Sequence, residues 1–170
     1  RLPAFQRRTL QRRVSPGAGR TSGPLLFVDT FTNYYDPEIG EAALEVLAAA
    51  GAPTTLARNG CCGRPQISKG LLDDARLLAK ANADRLYDDA AAGRPIVFCE
   101  PSCLSAVRED GPALLRGDDQ RRARRVADAS VLFEEFVEAV WPKRIALKRG
   151  PAAIQLHGHC HQKAMGMLAP

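Results

Sequence analysis

Three cysteine-bearing turns, each following a short apolar run, constrain this chain more than any other feature. They read Cys61-Cys62-Gly63, Cys99-Glu100-Pro101-Ser102-Cys103 and His157-Gly158-His159-Cys160-His161. The runs before them, at 54–57, 95–99 and 152–156, have the length of buried strands bounded by turn residues. A further such run occupies 25–29. Between the runs, apolar residues recur at helical spacing. Residues 37–50 predict a helix with Pro37 in its first turn, Glu38 and Glu41 at its positive end and Gly51 as its stop. Residues 70–91 predict a longer helix with Ser68 as N-cap, Leu71, Ala75, Leu78, Asn82 and Leu86 on one face, and Gly93 at its end. Further helices are expected from Ser102 to about 110 and over 131–141, before Pro142.

Strands alternating with helices predict an α/β fold with a mainly parallel sheet and flanking helices. In such sheets ligands bind beyond the carboxyl ends of the strands. All three cysteine turns follow an expected strand there, so they should share one edge and one site.

The bulk properties exclude several classes. At 170 residues the chain suits one domain, or one and a half repeats of a smaller unit. A chain of that size buries roughly 70% of its unfolded surface and does not need disulfides to fold. No apolar run is long enough to span a bilayer. The first twenty residues are arginine-rich and show no secretory leader. The expected compartment is therefore the cytoplasm, with peripheral attachment at the inner membrane face as an extension, where thiols stay reduced and serve metal or redox chemistry. Net charge is +5, with the excess at Arg7-Arg8, Arg12-Arg13 and Arg121 to Arg125. No aromatic residues interleave with these arginines, which argues against nucleic acid and for a solvated linker and a solvated loop.

Thiolates are soft metal ligands, nucleophiles and redox centres. Vicinal Cys61 and Cys62 are a hazard unless used, and Gly63 lets the backbone fold tightly beside them. Arg64 and the helix that follows put positive charge near the sulfurs, as does the helix start at Cys103, which suits an anionic iron–sulfur centre. Cys99, ending an apolar strand, reads first as a small buried hydrophobe. His157 reads as a structural histidine, while His159 and His161 either ligate a metal or hydrogen-bond to sulfur. Structural zinc prefers two close pairs such as Cys-x-x-Cys, which neither turn matches. No dinucleotide, P-loop or nucleophile-elbow motif occurs.

The segments 29–37, 61–65, 100–103 and 157–164 resemble the cysteine-rich CCG domain found in heterodisulfide reductases, in glycolate oxidase iron–sulfur subunits, and in lactate-utilisation and anaerobic glycerol-3-phosphate dehydrogenase subunits. The wording is most similar to the C-terminal part of fusions that join a FAD-linked oxidase domain, a ferredoxin-like segment and a CCG domain, such as D-2-hydroxyglutarate dehydrogenase-like enzymes. The resemblance implies a duplicated unit. Residues 1–23 would be a linker or the end of a preceding domain, 24–150 the first unit with its trailing helix, and 151–170 the start of a truncated second unit. It implies a 4Fe-4S type cluster, incomplete in this segment, with Cys61, Cys62, Cys103 and Cys160 as ligands and Cys99 as a fifth candidate. Arg64, His159 and His161 would border the cofactor. Two positions depart from the pattern. Thr30 stands where a lead cysteine is expected, and Glu100 stands three residues before Cys103.

The function implied is electron transfer from FAD, reduced by a 2-hydroxy acid such as glycolate, lactate or 2-hydroxyglutarate, to an acceptor such as a quinone or redox protein. FAD would sit in the parent protein, and the isolated segment would have no activity of its own. The partners implied are the flavin domain or subunit and the ferredoxin-like segment. The alternative is a metal-free docking module of the same oxidoreductase with degenerate ligands. A third reading uses Cys61-Cys62 or Cys99-Cys103 directly as a redox thiol pair, against which stands the strained ring of a vicinal disulfide.

Overall fold

The computed structural model describes residues 4–14, 22–142, 145–146, 148, 150–151, 153, 155–164 and 166. Four short strands, β1 (Leu25–Leu26), β2 (Thr55–Leu56), β3 (Ile96–Phe98) and β4 (Ser130–Leu132), form one parallel sheet in the order β2-β1-β3-β4. Leu25 pairs with Thr55 on one side and Ile96 on the other, and Ile96 in turn pairs with Ser130. The expected α/β architecture is present. The chain leaves β1 toward β2 on one side and later returns to place β3 on the other. The strand order therefore reverses between β1 and β3, the position where open parallel sheets open a crevice beyond their carboxyl ends.

Strand side chains alternate between two apolar layers, as a period of two requires. Leu25, Phe27, Ile96, Phe98 and Leu132 enter one core, where Phe27 and Phe98 stack with ring centroids 4.4 Å apart. Leu26, Val28, Val97 and Val131 enter the other. Both faces are covered, which is why β1 and β3 read as unbroken apolar runs. On the first face lie α5 (Leu72–Ala91) and α8 (Gly117–Asp128), with α7 (Gly111–Leu114) between them. On the second lie α3 (Pro37–Ala49) and α9 (Phe133–Val140), with α1 (Leu10–Arg13) and α2 (Thr30–Tyr34) at one end of that layer.

Local chemistry explains most boundaries. Pro37 opens α3 with Glu38 beside it, and Gly51 closes it at φ 82°. The start of α5 differs from the expected one. Ser68 ends a separate short helix, α4 (Arg64–Ser68), and Gly70 at φ 73° breaks the two apart. Leu71 occupies the N-cap of α5 with no side-chain bond, and Asp73 and Asp74 fill the first turn instead.

Three expectations are corrected. The fourth strand is Ser130–Leu132, overlapping the start of the stretch read as helical from 131. Its three residues are too few to display a period, and pairing with β3 decides the matter. The strand expected over 152–156 falls partly outside the described residues, since 152 and 154 are not among them. Residues 153, 155 and 156 are exposed and lie in no strand. The arginine-rich loop is α8: Ala123, Val126 and Ala127 face the core and the arginines line the outer side.

Residues 4–14 are docked rather than extended into solvent. Leu10 has no exposed surface, and Arg13 pairs with Glu41 of α3 at 3.0 Å. Gly40 makes room for Leu10, because a Cβ there would stand 2.4 Å from a Leu10 methyl. Replacing Leu10 with Ala should destabilise the chain by about 2–5 kcal/mol in urea unfolding. A change within about 0.5 kcal/mol would show that this segment does not belong to the folded unit.

Candidate functional site

The site lies where two cysteine turns meet beyond the carboxyl ends of β2 and β3. After β2 the chain runs to Gly63, whose φ of 88° lets it reverse directly into α4. After β3 it enters α6 (Pro101–Ser105), continued by a wider π turn over Ala106–Asp110. Glu100 is extended and caps α6, its carboxylate accepting from the Ser102 N–H at 3.0 Å and the Ser102 hydroxyl at 2.6 Å. These two turns bring the Cys62 and Cys103 sulfurs to 2.9 Å, with the Cys103 thiol donating to Cys62. Both side chains are buried in the layer beneath α5.

Polar side chains hold the Cys-Cys-Gly turn from three directions. Asn59 accepts from the Val28 N–H and donates to the Val28 carbonyl, both at 2.9 Å, prolonging the β1 pairing by a side chain. Asn82, buried on α5, accepts from the Gly60 N–H at 2.7 Å and donates to the Cys61 carbonyl at 2.8 Å. Arg64 reaches to α6 and the π turn. Its Nη2 donates to Ser105 Oγ and to Asp110 Oδ2, each at 2.6 Å, and its Nε to the Ser102 carbonyl at 3.3 Å. A mostly buried, multidentate arginine of this kind fixes geometry as well as charge.

The third turn meets the same helix. His161 Nδ1 lies 2.9 Å from Ser105 Oγ, and His159 Nε2 lies 3.9 Å from Glu100 Oε1. The His159 and His161 rings stack 5.5 Å apart, His159 just before the short α10 (Cys160–Ala164) and His161 in its first turn. Gln162 ties this turn to Glu134 of α9. Cys160 is exposed, with its sulfur 3.9 Å from His159 Nδ1, and His157 is exposed as well rather than built into the fold.

The structure thus brings together Cys62 and Cys103, with Arg64 and His161 joined through Ser105. Cys61 is half-buried next to the pair in sequence. Cys99 is not part of the pair: following Val97 by two residues, it packs into the opposite layer. Thr30 starts α2 with its side chain exposed, while the neighbouring Asp29 is buried and caps that helix through the Thr32 N–H and hydroxyl.

Electrostatics make the two thiols unequal. The hydrogen bond from Cys103 holds the Cys62 thiol down at about 7, against its burial, and the Arg64 backbone N–H and guanidinium help while Asp29 opposes. The same bond pushes Cys103 up, because losing its proton would forfeit the bond inside a buried site. Burial pushes Cys99 up to about 12, with Asp29, Glu134 and Glu100 adding to it. The first proton therefore leaves from Cys62, and Cys103 retains the one between the two sulfurs.

A four-iron cluster takes four thiolates. Among the described residues no three Cys, His, Asp or Glu side chains gather as a metal-ligating group. Cys62 and Cys103 fit as two soft ligands, and the described residues do not complete a cluster set by themselves. Asn59, Asn82, Ser105 and Asp110 carry the site's geometry and were not singled out from the sequence. Asn82 carried a signal, being a polar residue in the middle of an otherwise apolar helix face.

The cysteine-rich CCG domain family matches residues 28–108, which include both turns of the thiol pair. The chain is 29% identical over 143 residues to the C subunit of the anaerobic glycerol-3-phosphate dehydrogenase of Escherichia coli (strain K12), covering 82% of this chain and 35% of that protein. It is 29% identical over 139 residues to lactate utilization protein A of an Exiguobacterium species, covering 80% of this chain and 56% of that one. For lactate utilization protein A 2 of Bacillus cereus (strain Q1) the identity is 25% over 146 residues, covering 84% and 59%. The chain therefore spans about a third of the first relative and over half of the other two. No solved structure matches it significantly.

Removing the Cys103 hydrogen-bond donor should raise the Cys62 pKa. In metal-free protein, thiolate absorbance is expected with a midpoint of about 7, and that midpoint should shift to higher pH in Cys103→Ala. An unmoved midpoint would show that the Cys103 thiol does not set it.

Proposed function

We propose that this chain, whose residues 28–108 belong to the cysteine-rich CCG family, is the electron-transfer module of a larger oxidoreductase. Cys62 and Cys103 would be its two buried ligands to an iron–sulfur centre, with Cys61 and Cys160 as further candidates. The observation that carries this reading is the thiol pair itself, at the reversal point of a parallel sheet and inside the family match. Remaining ligands would come from other parts of the polypeptide or from a partner subunit, in keeping with relatives longer than this chain. A bound centre of this type would carry single electrons.

The chain's own residues would hold and insulate such a centre. Gly63 and the two asparagines shape the first turn, and Glu100 caps the second. Arg64 pins the two together and brings a positive charge beside a site that becomes anionic. Ser105 would hold His161 and its turn against the pair, so that outer contacts tune the ligands. Among the described residues no helix is long and apolar enough to cross a membrane. We place the protein in a reducing compartment such as the cytoplasm, where buried free thiols persist.

The upstream reaction we favour is oxidation of a 2-hydroxy acid at a flavin in a companion domain or subunit, with a quinone or redox protein as final acceptor. Two relatives are named for lactate utilisation and one for a glycerol-3-phosphate dehydrogenase. Lactate and glycerol 3-phosphate share oxidation at a carbon that bears a hydroxyl group.

The deciding experiment measures iron and acid-labile sulfide in anaerobically purified protein, as these 170 residues and within any longer native polypeptide. Iron and sulfide that depend on Cys62 and Cys103 support the reading; their absence from both leaves a metal-free docking module. In the complete oxidoreductase, Cys62→Ser should keep flavin reduction by substrate and lose acceptor reduction. Arg64→Gln should weaken metal binding or acceptor reduction by about 10–100-fold. Unchanged acceptor reduction in Cys62→Ser would remove this residue from the electron path.

A further inference from the structure

We infer that, without bound metal, Cys62 and Cys103 are a peroxide-sensitive dithiol that closes to a reversible disulfide, giving the site a second, oxidised form unable to take up metal. The inference rests on geometry. The two sulfurs are already 2.9 Å apart, and a disulfide bond is ~2.05 Å long, so closure asks for a sulfur shift of about an ångström or less. The partners are 41 residues apart yet meet on pinned backbone. Asn82 and Asn59 fix the loop before Cys62, and Arg64 ties its turn to Ser102 and Ser105 on either side of Cys103.

No other cysteine competes well. Cys99 packs into the opposite layer, and Cys160 is exposed on α10 beside His159. Cys61 adjoins Cys62 in sequence, which would force a strained vicinal ring. The sulfurs of the pair are nearly enclosed, with Cys62 8% and Cys103 7% exposed, which favours a small oxidant over a bulky disulfide.

The chemistry balances with one peroxide. The Cys62 sulfur attacks a peroxide oxygen, the O–O bond breaks, and the departing hydroxide takes the Cys62 proton and leaves as water. Cys62 is then a sulfenic acid. The Cys103 sulfur attacks the Cys62 sulfur, the S–S bond forms, the S–O bond breaks, and the hydroxyl leaves as water with the Cys103 proton. Two thiols lose two electrons in total, and one peroxide becomes two waters. Reduction by an external dithiol reverses the closure. Only the further statement that oxidation blocks metal uptake rests on the reading under Proposed function.

The test uses the chain freed of metal by a chelator under reductant, with both then removed. One equivalent of hydrogen peroxide is added, free thiols are capped with N-ethylmaleimide after denaturation, and unreduced peptides are analysed by mass spectrometry. The expected product joins the Cys62 and Cys103 peptides, lighter by two hydrogens, with two of the five cysteines protected from capping and released again by dithiothreitol. In Cys103→Ala the sulfenic acid on Cys62 should persist long enough for dimedone to trap it, whereas Cys99→Ala should still form the crosslink. Capping of all five thiols, a bond between any other pair, or direct passage of Cys62 to sulfinic acid would overturn the inference. Iron-loaded protein should resist crosslinking. A chain that crosslinks but never binds iron keeps this inference and loses the electron-transfer reading. A chain that binds iron and sulfide yet fails to crosslink once stripped does the reverse.

Discussion

Alternation along the strands decides which cysteines can meet. Each strand sends neighbouring side chains to opposite layers, and both layers are filled, so a side chain cannot change sides without a one-residue slip of the whole strand. Phe98 and Cys99 are adjacent in sequence and belong to different cores. The reach of β3 therefore places Cys99 in the layer shared with α3 and α9, while α6, four residues later, carries Cys103 back to the other side. Every distance in the thiol pair depends on this register, and the register depends on the packing of Phe27 on Phe98 and of Val97 on the opposite layer.

Within that frame the pair works as one unit. Neither thiol can be described alone, because Cys62 gives up its proton readily only while Cys103 keeps its own between the two sulfurs. Burial opposes a second negative charge between them, and the carboxylate of Asp29 opposes it further. A positive partner is required for both sulfurs to become anionic together. Arg64 supplies part of that charge, although Asp110 shares it. A metal would supply the rest, which gives a physical reason for two thiols to be held so close in a protein with no need of disulfides for its fold.

The α/β class was legible because β1 and β3 are apolar runs bounded by turns, and α3 and α5 are long enough to show their period. The Cys-Cys-Gly and Glu-Pro-Ser-Cys turns marked the edge at which they meet, and the family match covers both. The failures have local causes. Ser130–Leu132 is a strand by virtue of its neighbour and carries no signal of its own. In α8 the apolar side is made of alanines and one valine, which a count of arginines hides. Asn82, Asn59 and Ser105 act through hydrogen bonds to backbone and side chains remote in sequence, and no spacing rule announces such partners.

Beyond α6 the helix takes on a π turn, and this has a consequence for the clamp around Arg64. Ser105 and Asp110 are five positions apart, yet both bind the same guanidinium nitrogen. On a regular α-helix, residues five apart point about 140° away from each other, so one arginine could not hold both from the side. The wider turn accommodates an extra residue and turns Asp110 back into line with Ser105. The helix thus behaves like a splice: the residues before it are phased to the cysteine turns, the residues after it to α5 and α8, and the added residue reconciles the two phases. Deleting a single residue between 106 and 109 would leave a regular helix with the aspartate four positions after Ser105, about 40° away and still on the same side, so the π turn is what lets the chain carry the added residue without losing the clamp.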